Sequence, residues 1–268
     1  MTRYLSIALL ALSPALLGFK PYGDTAAARG QALADELEKR AADFGTIQSS
    51  VTMVTRNARG GETSRKLDIK VMDMLAGIRS LAVITAPADE RGTALLTYTY
   101  SHLDDEQWIY FPAIGQARTI QAKGRSGPFM GSEFSYEDMT GQSFQKYDYE
   151  LSGEAACEVD GAAERCWLLK RFPHKKLKSR YQYSTAWIDQ KHLRLLKTEF
   201  YDRHGDHLKT FEAKGFSLYA DKYWRAQNMT MLNVVSGNAS TLIWDDVRYG
   251  EEIDLSVFRL ETLEGKAP

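Results

Sequence analysis

The chain has 268 residues, of which 44% are hydrophobic and 26% charged, a composition that excludes disorder over the whole length. Lys and Arg number 34 against 35 Asp and Glu, so the net charge of -1 lacks the basic excess of a general nucleic-acid binder. Thirty aromatic residues, 11% of the chain, favour β structure.

The first 28 residues have the pattern of a secretory signal peptide. Arg3 precedes the apolar run Leu5–Leu17, which is shorter than the roughly 20 residues of a membrane-spanning helix. Cleavage after the motif Ala26–Ala28 would leave one domain at 29–268. A cut near Gly18 and an uncleaved membrane anchor are the alternatives. We therefore expect an exported protein, located in the periplasm.

The two cysteines, Cys157 and Cys166, flank the turn signal Asp160-Gly161. Two short strands that meet at this turn would bring the thiols together, so a structural disulfide and a pair of free thiols are both compatible with the pattern. Because no cysteine follows the signal segment closely, we expect no amino-terminal lipid. Two cysteines are also too few for a four-cysteine zinc site.

One amphipathic helix is predicted at residues 29–44. Leu33, Leu37, Ala41 and Phe44 form an apolar stripe, and Gly45 is a suitable stop. The helix either packs on a sheet or covers an apolar site.

From residue 46 the apolar residues alternate with a period of two, and tight-turn signals separate the runs. About a dozen strands are expected, at 47–53, 67–71, 80–85, 94–100, 108–111, 147–151, 165–172, 181–188, 193–201, 207–211, 228–235 and 239–244. No helical pattern recurs between them, so the prediction is one mainly β domain with an antiparallel meander. Such a sheet must close or curl, and a half-open sheet would leave an apolar trough that a helix could cover.

Residues 115–144 break the alternation. This glycine-containing segment also carries apolar residues such as Phe129, Met130, Phe134 and Met139. Long segments of this kind inside a domain are usually functional or disordered, and this one is too apolar for disorder. It is either a structured crossover that packs into the core or a mobile flap that contacts a ligand.

Candidate catalytic groups are weak. Glu133, Glu137 and Asp138 could supply a carboxylate pair, although such acids usually just solvate a loop. His204 and His207, with nearby aspartates, resemble metal ligands superficially but lie where a hairpin turn is expected. The sequence therefore predicts no catalytic residues, no metal and no cofactor.

Several sequence blocks occur together in a characteristic order. They are Pro87-Ala-Asp-Glu-Arg-Gly92, Asp105-Glu-Gln-Trp-Ile-Tyr-Phe-Pro-Ala113, Arg125-Ser-Gly-Pro-Phe-Met-Gly-Ser-Glu-Phe-Ser-Tyr-Glu-Asp138, Phe200-Tyr-Asp-Arg-His-Gly205 and Trp244-Asp-Asp-Val-Arg-Tyr249. Together they resemble the outer-membrane lipoprotein-sorting protein family, in its LolA-like branch of larger periplasmic members. The resemblance extends over residues 29–263.

This resemblance implies a curved antiparallel half-barrel with a helical lid over an apolar cavity. The implied ligands are acyl chains of lipoproteins or lipids, and the implied partner is an inner-membrane exporter of the resistance-nodulation-division or ATP-binding-cassette type. It implies a non-catalytic carrier, and we expect a monomer.

One face of successive strands supplies the candidate cavity lining. These candidates are Val51, Met53, Ile69, Val71, Leu96, Tyr98, Trp108 and Tyr110, with Phe129 and Met130 from the irregular segment. A register error of one residue would exchange this set for the opposite face.

Three functions are compared. The first is a carrier that delivers acylated cargo. The second is an envelope scaffold or lipid-sensing module that works with a membrane transporter and shuttles nothing. The third, a hydrolase that uses Glu133, Glu137 or Asp138, has no sequence signature in its favour.

Overall fold

The computed structural model describes residues 19–140 and 143–265. Strands dominate it: β1 Thr46–Arg56, β2 Glu62–Met74, β3 Gly77–Ala86, β4 Ala94–Thr99, β5 Glu106–Phe111, β6 Gln116–Thr119, β7 Tyr147–Val159, β8 Ala162–Pro173, β9 Tyr183–Asp189, β10 Leu195–Tyr201, β11 His207–Tyr219, β12 Tyr223–Asn233 and β13 Ala239–Tyr249. Two α-helices accompany them, α1 Ala26–Ala41 and the short α2 Leu260–Leu263.

All 13 strands form one sheet, in the order β6-β5-β4-β3-β2-β1-β13-β12-β11-β10-β9-β8-β7. Every neighbouring pair is antiparallel, and sheet neighbours are also neighbours in the chain except where β1 pairs with β13. The sheet does not close, because β6 and β7 are its two edges. The predicted curved antiparallel half-barrel is confirmed. The one strand beyond the predicted dozen is the short edge strand β6.

Residues 120–146 connect the two opposite edges of the sheet, and we name them the crossing segment. Phe129 and Phe134 of this segment are buried against Val51, Met53 and Leu67 of the first two strands. These residues belong to the concave-face core, the cluster of buried apolar side chains on the inner surface of the sheet. The crossing segment therefore passes over the concave face on its way from β6 to β7.

Helix α1 begins three residues earlier than predicted. The Thr25 side chain accepts a hydrogen bond from the Ala28 amide at 3.0 Å, which caps the helix. At the other end the chain leaves the helix after Ala41 and becomes extended at Ala42. Phe44, predicted to continue the helical stripe, lies outside the helix.

The buried face of α1 packs on the edge of the sheet at β7. Leu33 and Ala34 are fully buried against Leu151, Trp167 and Leu169. We name this group the helix-side core. Truncation of a buried leucine such as Leu33 typically costs about 2–5 kcal/mol, so this contact fixes the helix firmly.

The carboxyl-terminal segment covers part of the outer face of the sheet. Ile253 and Phe258 of the carboxyl-terminal segment pack on Leu81 and Leu96. The Tyr98 hydroxyl donates a hydrogen bond to the Phe258 carbonyl oxygen. β4 is consequently buried on both faces, unlike a strand with one solvated face.

The predicted signal segment falls largely outside the described residues, which begin at Phe19. Its cleavage and the 29–268 domain boundary stay predictions. No helix among the residues that the structure describes is both long enough and apolar enough to span a bilayer.

Candidate ligand-binding cavity

A cavity of about 500 Å³ lies on the concave side of the sheet. This volume falls within the roughly 300–1,000 Å³ that is usual for small-molecule sites. Both halves of the sheet contribute apolar side chains to its wall, among them Ile69, Leu95, Leu169, Phe211, Met229 and Trp244. The wall is therefore suited to a hydrophobic ligand, which gains free energy from each apolar group removed from water.

Two covering elements bound the cavity. Leu37 of α1, together with Phe44 just after the helix, lines it near one sheet edge. Phe134 and Met139 of the crossing segment line it elsewhere. The cavity is thus bounded by the sheet, the helix and the segment that joins the two sheet edges.

The crossing segment is a structured crossover. Phe129 is completely buried, and the Glu133 amide donates to Ser240 Oγ at 2.9 Å. The Lys209 ammonium donates to the Glu133 carbonyl oxygen at 2.6 Å, and the Asn233 side chain donates to the Glu133 carboxylate at 2.9 Å. These contacts attach the segment to β11, β12 and β13 and agree with the packing interpretation of residues 115–144.

Acidic residues of the crossing segment form a polar patch in the wall. Burial raises the pKa of Glu137, although its carboxylate accepts hydrogen bonds from the Ser179 hydroxyl and the Arg180 amide. The Asp138 carboxylate accepts hydrogen bonds from Ser135 at 2.7 Å and from the Tyr181 hydroxyl at 2.9 Å. Both acids thus have hydrogen-bond partners that attach the crossing segment to the loop before β9.

Two arginines also reach the cavity wall. Arg171 donates from Nε to Ser184 Oγ at 3.2 Å, and its guanidinium carbon lies 4.6 Å from the Tyr147 ring centroid. Arg225 lies on β12, on the other half of the lining, where its guanidinium donates to the Trp224 carbonyl oxygen at 3.4 Å. The cavity wall is therefore mainly apolar and includes a few charged groups.

The structure brings together six of the ten residues predicted to line the cavity. Ile69 and Val71 lie in the wall. The other four pack beside it, on the same face, in or against the concave-face core: Val51, Met53, Phe129 and Met130.

The remaining four lie on the opposite side of the sheet from the cavity. Leu96, Tyr98, Trp108 and Tyr110 belong to the outer cluster with Ile253 and Phe258. On β4 the wall position is taken by Leu95, one residue earlier. On β4 and β5 the prediction therefore selected the wrong face of the strand, which is the one-residue register error described above. That a ligand contacts any of the ten stays a prediction.

The sequence analysis did not identify the lining residues that come after the crossing segment in the chain, which form about half of the wall. Those residues include Tyr149, Leu169, Phe211, Met229, Met231 and Trp244. Their signal was present in the alternation of β7, β8, β11, β12 and β13, but alternation alone does not state which of its two faces meets a cavity.

The structure joins Cys157 and Cys166 in a disulfide, with 5.9 Å between their Cα atoms. The bridge crosses the β7–β8 hairpin, and neither cysteine lines the cavity. At the other sequence candidate, the Asp202 carboxylate accepts backbone hydrogen bonds from His204 at 2.8 Å and Asp206 at 3.1 Å, which defines a hairpin turn. Within 19–140 and 143–265, no group of three or more His, Cys, Asp or Glu residues is placed to hold a metal ion.

Comparison with known proteins identifies relatives that share this architecture. A family model described as an uncharacterized protein matches residues 77–265. A crystal structure described as an outer membrane lipoprotein-sorting protein domain from Vibrio parahaemolyticus is 32% identical, with a TM-score of 0.83; the match covers 89% of this chain and 99% of that one. None of the curated proteins compared matches the chain.

Two further structures are similar. A DUF1329 family protein from Desulfovibrio piger is 25% identical over 90% of this chain and 100% of that one, with a TM-score of 0.83. A LolA superfamily protein from Nitrosomonas europaea shares the fold, at 21% identity and a TM-score of 0.68 over 90% of this chain and 100% of that one. The chain therefore belongs to the LolA-like family of outer-membrane lipoprotein-sorting proteins.

Proposed function

We propose that this protein is a periplasmic carrier that binds the acyl chains of lipids or lipoproteins in the concave-face cavity. The observation that carries the proposal is the cavity of about 500 Å³, whose wall combines the concave face of the sheet, Leu37 of α1 and Phe134 of the crossing segment. Its similarity to a lipoprotein-sorting domain agrees with such a ligand.

The physical chemistry of the wall suits reversible transport. Each buried methylene contributes about 0.8 kcal/mol, so an acyl chain gains affinity in proportion to the length that enters. Met139, Met229 and Met231 are flexible side chains that adapt to chains of different shape. An apolar wall holds the chain without specific bonds that would oppose its release.

The remaining parts of the proposal concern the partners. The chain would be exported by its amino-terminal signal and act as a monomer without catalytic activity. It would take its cargo from, or assist, an inner-membrane exporter of the resistance-nodulation-division or ATP-binding-cassette type. A carrier of this kind must hand over cargo, which separates it from a scaffold that only binds the exporter.

Binding is tested with protein purified from the periplasm and analysed by native mass spectrometry. We expect a bound lipid mass that disappears on delipidation. Titration of the delipidated protein with saturated fatty acids of increasing length should lower the dissociation constant by about fourfold per methylene until the cavity is full. No bound lipid and no dependence on chain length would contradict the proposal.

Transfer of lipid between membranes is tested separately from binding. Donor vesicles that contain a fluorescent phospholipid are mixed with unlabelled acceptor vesicles, with and without the protein. A carrier accelerates transfer in proportion to its concentration. Binding without accelerated transfer would instead favour the scaffold or lipid-sensing function.

A further inference from the structure

We infer that the cavity selects acyl ligands with an anionic head group, which Arg225 binds at the α1 end of the cavity. The inference rests on the proposed function, since it names the class of acyl ligand that the same cavity takes. A carboxylate of a fatty acid and a phosphate of a phospholipid share the required chemistry.

The first step is the distribution of charge in the wall. Four charged side chains of the described residues line the cavity: Glu137, Asp138, Arg171 and Arg225. Three of them are close to one another in the structure. Arg171 lowers the pKa of Glu137 against the dominant effect of burial, and Asp138 raises it. The end of the cavity near the crossing segment thus contains both signs of charge.

Arg225 is the exception. Among the residues that the structure describes, no Asp or Glu oxygen lies within 4.0 Å of its guanidinium group. Its neighbours include the Trp224 carbonyl oxygen and the rings of Tyr223 and Tyr249, whose centroids lie 5.6 and 6.0 Å from its guanidinium carbon. Arg225 also interacts with the Tyr249 side chain and lowers the pKa of its hydroxyl against the dominant effect of burial, but this partner carries no negative charge to balance the guanidinium. A half-buried cation without a counter-ion is costly, and an anionic ligand group would remove that cost.

The register places Arg225 at the α1 end of the sheet. Tyr223, two residues away on the same face of β12, donates a hydrogen bond from its hydroxyl to the Asp43 carbonyl oxygen at 2.7 Å. Asp43 follows α1, next to Phe44, which lines the cavity. Arg225 therefore marks the end of the cavity opposite the charges of the crossing segment.

Aromatic residues beside Arg225 have the character of an apolar–polar boundary. Tyr223 and Tyr249 stack at 5.4 Å with an interplanar angle of 4°, and Tyr219 stacks on Tyr249 at 5.6 Å. Tyrosine rings present an apolar body and a polar hydroxyl, as is typical where an acyl chain meets its head group.

A second donor faces the same ligand space. Trp244, on the adjacent strand β13, lines the cavity, and its buried Nε1 makes no hydrogen bond to any described residue. A buried N–H without an acceptor is uncommon, and a ligand oxygen at this site would satisfy it. Arg225 and Trp244 both supply donors, whereas no acidic residue lines this end in the described chain. The occupant complementary to them has an anionic head.

The test is competition against a bound fluorescent fatty acid at about pH 8, where fatty-acid carboxylates are ionised. Three competitors carry the same palmitoyl chain: palmitate, palmitoyl lysophosphatidic acid and neutral monopalmitoylglycerol. We expect the wild-type protein to bind the anionic competitors about tenfold more tightly than the neutral one. The stronger of the two anionic competitors identifies carboxylate or phosphate as the preferred head.

Arg225→Gln should abolish this preference and leave the affinity for monopalmitoylglycerol within about twofold of wild type. Arg225→Lys keeps the charge and should retain the preference. A control outside the cavity, Arg248→Gln, should also retain it, because Arg248 does not line the cavity and pairs with Asp246 at 3.3 Å. Thermal unfolding establishes that each variant is folded.

Equal wild-type affinity for neutral and anionic competitors would overturn the inference and leave acyl binding intact. An Arg225→Gln variant that keeps the tenfold preference would overturn it as well. Failure of every palmitoyl competitor to bind would overturn the proposed function itself and this inference with it.

Discussion

Gly30 of helix α1 lies directly against the backbone of Glu150 on the edge strand β7. A β-carbon built on Gly30 would lie 2.6 Å from the Glu150 Cα, closer than real β-carbons approach backbone atoms. The absence of a side chain at this one helical position therefore allows the helix to approach the strand and brings Leu33 into the helix-side core.

Substitution Gly30→Ala should lower the free energy of unfolding by about 1–3 kcal/mol, the usual cost of overpacking. Helix propensity alone would predict the opposite change, since it favours Ala over Gly in a helix by about 1 kcal/mol and would raise the free energy of unfolding. Urea unfolding followed by circular dichroism measures the change. Lys39→Ala, on the exposed face of α1, is the matched control and should be neutral. A Gly30→Ala protein as stable as wild type would show that the helix and strand can separate freely.

Much of this fold follows from the alternation of apolar residues. The strands and their turns were predictable because hairpins such as β7–β8 combine a local turn signal at Asp160-Gly161 with flanking period-two patterns. The pairing of β1 with β13 was not, since it joins residues almost 200 positions apart and leaves no local signal. The order of the sheet, and hence the position of the cavity, depends on that pairing.

The faces of β4 could not be assigned because the strand is buried on both sides. Leu95 packs on the concave-face core while Leu96 packs on Phe258 of the carboxyl-terminal segment. In a strand that is buried on both faces, apolar residues no longer alternate with polar ones. The sequence then does not indicate which side chains point to the concave face. Where only one face is buried, as at Ile69 on β2 beside exposed Asp68, the alternation places the side chain correctly.

A substitution in the cavity wall can reduce the space for a ligand. Ala186 of β9 lines the cavity and is half-buried, so a phenylalanine there would extend into ligand space. If Ala186→Phe displaces about three methylenes of the acyl chain, the dissociation constant should rise roughly 50-fold. Fluorescent fatty-acid titration measures this. Ala163→Phe on exposed β8 surface is the control and should bind like wild type.

Equal fatty-acid affinity of the Ala186→Phe and Ala163→Phe proteins would argue that acyl chains bind elsewhere. A loss of affinity in both would instead report general destabilisation, which thermal unfolding separates from a local effect.

The contacts at the start of α1 bear on the mature amino terminus. Phe19 packs against the helix-side core, and Thr25 caps the helix through the Ala28 amide. A protein that begins at Arg29 would lack both contacts, and loss of the cap alone costs about 0.5–2 kcal/mol. Of the two predicted cleavage sites, these contacts favour the one near Gly18 over the one after Ala28, and intact-mass measurement of the mature protein identifies its first residue.

The same reasoning is tested in purified proteins that begin at residue 19 and at residue 29. The longer protein should have the higher unfolding temperature. Equal stability, or a mature mass that corresponds to a start at Arg29, would contradict the prediction.

Asp189 organises the turn between β9 and β10 and forms a buried ion pair. Its carboxylate is fully buried and accepts hydrogen bonds from the Arg194 Nε at 2.8 Å and from the backbone amides of Lys191, His192 and Arg194. Burial raises the pKa of Asp189, but these hydrogen bonds outweigh that effect and the net pKa is lowered. Asp189→Asn leaves the Arg194 charge without its partner, and we expect a loss of about 3–5 kcal/mol in urea unfolding.

The pH dependence of this loss has a defined sign. Because the folded pKa of Asp189 lies below its unfolded value of about 3.9, the ionised carboxylate contributes its stability above that pH. The contribution disappears as the pH falls through the folded pKa, so the difference between wild type and Asp189→Asn should narrow under acid. Asp148→Asn, whose side chain is 81% exposed beside His174, is the control and should change stability by less than about 1 kcal/mol. A difference between wild type and Asp189→Asn that stays constant from neutral to acidic pH would show that the ion pair is not its source.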